Sequence, residues 1–123
     1  MPKVLIVDDS EIVRTAMRHD LEERGLSIVS AVDGINAIRE MKDHPDIDLI
    51  ITDFNMPNMD GLTMIESIRN DMRNTEVKII VLTTEDCAHL KERGRSLGIT
   101  GWVVKPITPE VVDIIATVVL GGK

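Results

Sequence analysis

Short apolar runs alternate along the chain with longer stretches whose apolar residues recur at helical spacing. Val4-Leu5-Ile6-Val7 is the first run, too short for a helix and rich in β-branched residues, so it predicts a strand. From Glu11 to Arg24, Ile12, Val13, Ala16, Met17 and Leu21 share one helical face, and Gly25 stops the helix. A second strand fits Ser27 to Ala31. The helix after it carries Ile35, Ile38 and Met41 and ends at His44-Pro45, because the residue before a proline is driven out of helical conformation.

The alternation then repeats. Leu49-Ile50-Ile51 predicts a third strand, and Leu62, Ile65, Ile68 and Met72 the stripe of a third helix. Val77 to Leu82 follows as a strand. Cys87, Leu90, Gly94 and Leu97 form a thinner helical stripe interrupted by glycine. Trp102-Val103-Val104 and Glu110 to Leu120 complete a fifth strand and a fifth helix. Strands that are apolar throughout have no polar face, so helices must cover both sides of a parallel sheet. Right-handed crossovers leave few topologies for such a chain, with a doubly wound five-stranded α/β sheet foremost.

In an open parallel sheet, ligands bind beyond the carboxyl ends of the strands. Asp8 and Asp9 follow the first strand, Asp53 the third, Thr83 and Thr84 the fourth, and Lys105 the fifth. Two carboxylates about 5 Å apart repel by roughly 3 kcal/mol at an effective dielectric of about 20. Three of them therefore call for positive charge beyond one lysine. Oxygen ligands on a partly open rim suit Mg²⁺, which takes one or two carboxylates and a substrate phosphate. Each residue alone also has an ordinary explanation. Asp8-Asp9-Ser10 before a helix can be caps, Thr83 and Thr84 likewise, and Lys105-Pro106 a solvated lysine before a turn. Their coincidence at one sheet edge favours a phosphoryl-accepting site.

Composition narrows the function. The chain has 123 residues, one domain's worth, with 14 Lys and Arg against 21 Asp and Glu and a net charge of −7. That charge opposes binding to phosphate backbones, and a single Phe and a single Trp make no stacking platform, so no nucleic-acid partner is expected. No apolar run approaches the roughly 20 residues that span a bilayer. The N-terminal run is broken too early for a signal peptide, so no membrane association and a cytoplasmic location are expected. The lone Cys87 forms no internal disulfide and lies on the apolar side of its helix, as a core residue does. His19, His44 and His89 share no metal-ligand spacing.

Asp8-Asp9, Asp53 with Asn55-Met56-Pro57-Asn58-Met59-Asp60-Gly61, Thr83 and Lys105-Pro106 together resemble the receiver domains of two-component response regulators. The match runs from Val4 to about Leu120, making residues 1–123 a single receiver domain. Gly101-Trp102-Val103-Val104-Lys105-Pro106 is similar to the CheY-like chemotaxis branch. The resemblance implies a flavodoxin-like, CheY-like fold with strand order 2-1-3-4-5. It implies a phosphoprotein in which Asp53 accepts a phosphoryl group from a CheA-like sensor histidine kinase. Mg²⁺ would be held by Asp8, Asp9, Asp53 and the backbone carbonyl of Asn55. Lys105 and the Thr83 hydroxyl would meet the phosphoryl oxygens, and the Lys105-Pro106 peptide would be cis. Asn55 and Glu85 occupy the positions that tune dephosphorylation, unless both are simply surface polar residues. Trp102 stands where the family usually has Tyr or Phe, in a switch coupled to Thr83. Such a protein is a signalling phosphoacceptor and not an enzyme.

The helix over Glu110–Leu120 carries two adjacent apolar stripes, Val111, Ile114, Ile115 and Val118 beside Val112, Ala116 and Val119. One must face the sheet. The other either packs on the fourth helix or belongs to an output face. We read Val112, Ala116 and Val119, with Trp102, as that face, docking a flagellar motor switch protein or a phosphatase, or supporting self-association. Three other functions compete: a stand-alone phosphorelay receiver that passes its phosphoryl group to a histidine phosphotransfer protein, a phosphatase with an Asp nucleophile, and a flavin carrier. The phosphatase reading lacks the second Asp two residues after Asp53, and the flavin reading has only Phe54 and Trp102 as flanking rings.

Overall fold

A computed structural model of the chain describes residues 2–54, 59–83, 92, 94–105 and 107–120. β1 (Lys3–Val7), β2 (Ser27–Ala31), β3 (Leu49–Asp53), β4 (Lys78–Thr83) and β5 (Gly101–Val104) form one parallel sheet in the order β2-β1-β3-β4-β5. Between them run α1 (Glu11–Glu22), α2 (Gly34–Asp43) and α3 (Gly61–Glu66), and the C-terminal helix, here α4, spans Pro109–Leu120. No helix among the described residues is long and apolar enough to cross a membrane.

The order explains the strand composition. β1, β3 and β4 lie inside the sheet, and Leu49, Ile50 and Ile51 on the central strand are all fully buried. Alternation sends Leu5, Ile50 and Val81 into one core with α2 and α3. Ile6, Ile51 and Leu82 enter the other core, with α1 and α4. Each such side chain stabilises the fold by roughly 1.5–3 kcal/mol, so the two cores make the sheet a rigid platform for its loops.

Two features depart from the expected pattern. The third helix does not stay α-helical, because Ser67–Asp71 widens into a π turn, with Met72 N–H donating to Ser67 O at 3.1 Å. Arg69 in this turn reaches across to donate to the carbonyls of Leu97 (2.8 Å), Gly98 (3.1 Å) and Asn74 (3.1 Å).

The second departure corrects the output face. Val112, Ala116 and Val119 are buried with Ile115 against the sheet and α1, so they cannot form a docking surface. The outward apolar strip is the other one, with Ile114 61% exposed and Val111 and Val118 partly so. The two stripes share an edge at Ile115, and only tertiary contacts decide which rotates inward. One of them is visible: Arg24 at the end of α1 pairs with Asp113 at 2.8 Å, turning that flank of α4 toward α1.

Candidate functional site

β1 delivers two carboxylates to the carboxyl edge of the sheet in different environments. Asp8 is 1% exposed, whereas Asp9 is open to solvent. The cap of α1 is neither of them but Ser10, whose Oγ accepts from Val13 N–H at 3.4 Å. Asp8 Oδ1 takes the Ser10 N–H at 2.9 Å, which fixes its rotamer and leaves Oδ2 directed at Lys105 Nζ, 3.3 Å away. The Arg14 guanidinium donates to the Asp8 carbonyl at 2.6 Å and holds the backbone from the other side. Capping therefore does not account for the two aspartates.

Asp53 ends the central strand, paired in register with Leu82 of β4, and is 8% exposed. Its Oδ1 lies 3.4 Å from Lys105 Nζ. Lys105 is placed by its own backbone, whose N–H donates to Thr83 O at 2.8 Å beyond the end of β5. One ammonium thus bridges the carboxylates of the first and third strands. Thr83 is buried at the end of β4. Thr83 pairs with Val104 and Val81 with Trp102, so Thr83 and Trp102 share one face of the sheet.

The segment after Asp53 returns at once to the strand end. Phe54 O accepts the Gly61 N–H at 3.0 Å, and a Cβ on Gly61 would meet the Asp53 carbonyl at 2.7 Å, so no larger residue fits there. Asp60 caps α3 through Thr63 N–H at 2.8 Å. Asn55, Thr84, Glu85, Cys87, His89 and Pro106 lie outside the described residues.

Among the described residues, negative charge exceeds positive at this edge. Oxygens of Asp8, Asp9 and Asp53 all lie within 4.8 Å of one another, and among the described residues one ammonium, Lys105, meets Asp8 and Asp53. Burial pushes the Asp53 carboxyl above its ordinary range; Lys105 works against that rise and Asp8 adds to it. A carboxylate whose charge is costly where it sits gains from any arriving cation or electrophile. The donor set is oxygen only, with one member open to solvent, and it fits a hard divalent ion such as Mg²⁺. His19, Asp20 and Glu23 also lie close together on α1, where the exposed His19–Glu23 contact of 3.2 Å is one turn of helix apart.

Comparison with known proteins bears on the same edge. Residues 4–117 match the response regulator receiver domain family. The chain belongs to that family. It is 35% identical to the chemotaxis protein CheY1 of Helicobacter pylori over 120 residues, 97% of each chain. Among solved structures, the chemotaxis protein CheY4 of Vibrio cholerae superposes with a TM-score of 0.89 at 37% identity, covering 98% of this chain and 99% of that one. The response regulator TrrA of Thermotoga maritima, solved in complex with Mg²⁺ and BeF, superposes with a TM-score of 0.82 at 28% identity, covering 98% and 100%.

Three residues that help build this receiver carried no signal in the sequence. Arg14 and Arg69 act through backbone carbonyls, which no residue pattern marks. Gly94 registered only as a gap in a stripe.

Proposed function

We propose that this receiver is a phosphorylation-dependent switch whose acceptor is Asp53. The observation that carries the reading is Lys105 Nζ bridging Asp8 and Asp53 at the carboxyl edge of the sheet, with Asp9 beside them. In the proposed reaction an Asp53 oxygen attacks the phosphorus of a phosphohistidine on a sensor kinase. The new P–O bond forms as the P–N bond breaks, and the imidazole nitrogen keeps the electron pair and takes up a proton. Lys105, already beside the Asp53 carboxylate, pairs with the phosphoryl oxygens as they lose their former partner. Asp8 and Asp9, with Asp53 and the Asn55 carbonyl, would hold Mg²⁺. When bound, the ion supplies positive charge against the phosphoryl oxygens.

Transfer adds negative charge at the edge where β4 ends in Thr83, whose hydroxyl is the donor we assign to the new oxygens. Trp102, on the same sheet face, is the ring that responds. Asn55 and Glu85 would set how readily water removes the phosphoryl group. The identity with CheY1 along nearly the full chain supports a chemotaxis role in the cytoplasm, with a CheA-like kinase upstream and a motor switch protein or phosphatase as downstream partner. The protein is a signalling module that contributes residues to its own phosphotransfer, with no separate substrate to turn over.

Trp102 is the sole tryptophan, so its fluorescence is a direct probe. Titration with beryllofluoride in Mg²⁺ changes the emission of the wild type and leaves Asp53→Asn unchanged. A silent wild type, or an equal response in Asp53→Asn, overturns the assignment.

A further inference from the structure

Helical residues 94–96 end in a two-bond turn. Ile99 N–H donates to Gly94 O at 3.2 Å and Gly98 N–H to Arg95 O at 3.1 Å, with Gly98 at φ +71°. In this ending the apolar residue after the turn usually packs on the side chain at the position Gly94 holds. Gly94 has no side chain to offer. The indole of Trp102 occupies the space instead: a Cβ built on Gly94 would lie 2.6 Å from Trp102 Cζ2 and 2.7 Å from Ile99 Cδ1. Both distances are shorter than real carbon contacts, so the ring and a methyl group cannot share the place. The seat is braced from outside, because Arg69 holds the carbonyls of Leu97 and Gly98.

A helical glycine is less favourable than alanine, so a glycine at this point calls for a compensating contact. We propose that Gly94 is a positioning residue for Trp102: its missing side chain forms the seat of the resting indole, and the size of residue 94 sets the cost of moving the ring. The regulatory half of this inference rests on the proposed switch at Asp53; the seating half does not. A methyl group at position 94 lifts the ring from its resting place, which lowers the cost of leaving it.

The test is Gly94→Ala in the full chain, alone and combined with Trp102→Phe, whose smaller ring does not reach Cζ2. Without Mg²⁺ or beryllofluoride, Gly94→Ala should shift Trp102 emission to the red and increase its quenching by acrylamide. It should lower the melting temperature of the wild type by more than that of Trp102→Phe, where the indole is gone and only the flexible end of Ile99 has to give. Unchanged emission, or an equal loss of melting temperature in both backgrounds, overturns the seat. In Mg²⁺, the half-saturating beryllofluoride concentration should fall in Gly94→Ala. If the wild type responds and that concentration does not fall, the regulatory half is overturned while Asp53 stands as acceptor. A silent wild type instead rejects the Asp53 reading and leaves the seat to the stability and emission results.

Discussion

Lys105 Nζ lies 3.4 Å from Asp53 Oδ1, on a residue whose backbone N–H is tied to Thr83 O of the neighbouring strand. The ammonium is thus in place before any phosphoryl group arrives. It also touches Asp8 at 3.3 Å, so among the described residues one cation serves two buried carboxylates. Lys105→Met should cost about 1–3 kcal/mol at neutral pH in urea unfolding, because it leaves both carboxylates facing each other. The loss should shrink as Asp53, whose pKa burial raises, protonates. A loss that persists undiminished in acid would show that the lysine matters for packing alone.

Asp53→Asn should have the opposite sign. The folded-state pKa of Asp53 is raised, chiefly by burial, so its ionised form costs folding free energy. That cost is absent below the unfolded carboxylate pKa and fully present once pH has risen through the folded value. The variant should therefore melt a few degrees above the wild type at neutral pH in the absence of Mg²⁺, with the gap closing in acid. Equal melting temperatures at neutral pH would mean that Lys105 already offsets the burial of Asp53 in full.

The rotation of α4 can be checked by a pair of substitutions. Val112→Asp buries a charge between the helix and the sheet and should cost more than about 3 kcal/mol. Ile114→Asp, on the outward strip, should change stability by no more than about 0.5 kcal/mol. Equal costs in urea unfolding would contradict the observed orientation.

Arg69→Ala removes one donor group from three carbonyls, on Asn74, Leu97 and Gly98. A loss of about 2–3 kcal/mol is expected, with faster amide exchange at Ile99, whose N–H closes the turn that Arg69 braces. Unchanged exchange at Ile99 would mean that the turn holds without the guanidinium.

These residues also mark how far sequence alone reaches. Asp8, Asp53, Thr83 and Lys105 were legible because a parallel sheet turns order along the chain into position in space: whatever follows each strand arrives at one edge. The division of labour between Asp8 and Ser10 was not, since either side chain can cap a helix and only distances show that Ser10 does. The orientation of α4 was hidden by its breadth, because an arc of apolar residues twice the usual width has two faces that fit a core equally well. The π turn at Ser67–Asp71 keeps Ile65 and Ile68 at helical spacing and so leaves no trace in the pattern. Gly94 shows the reverse problem: it looked like a weak point in a helix, and its meaning lies in Trp102, eight residues on.

Asp53 as phosphoacceptor is tested most directly by phosphotransfer itself. The chain is mixed with the phosphorylated histidine domain of a CheA-like kinase in Mg²⁺, and its intact mass is followed with time. The wild type should gain one phosphoryl group that is lost on mild base treatment, as an acyl phosphate is, and Asp53→Asn should gain none. An unmodified wild type, or equal labelling of Asp53→Asn, would contradict the account.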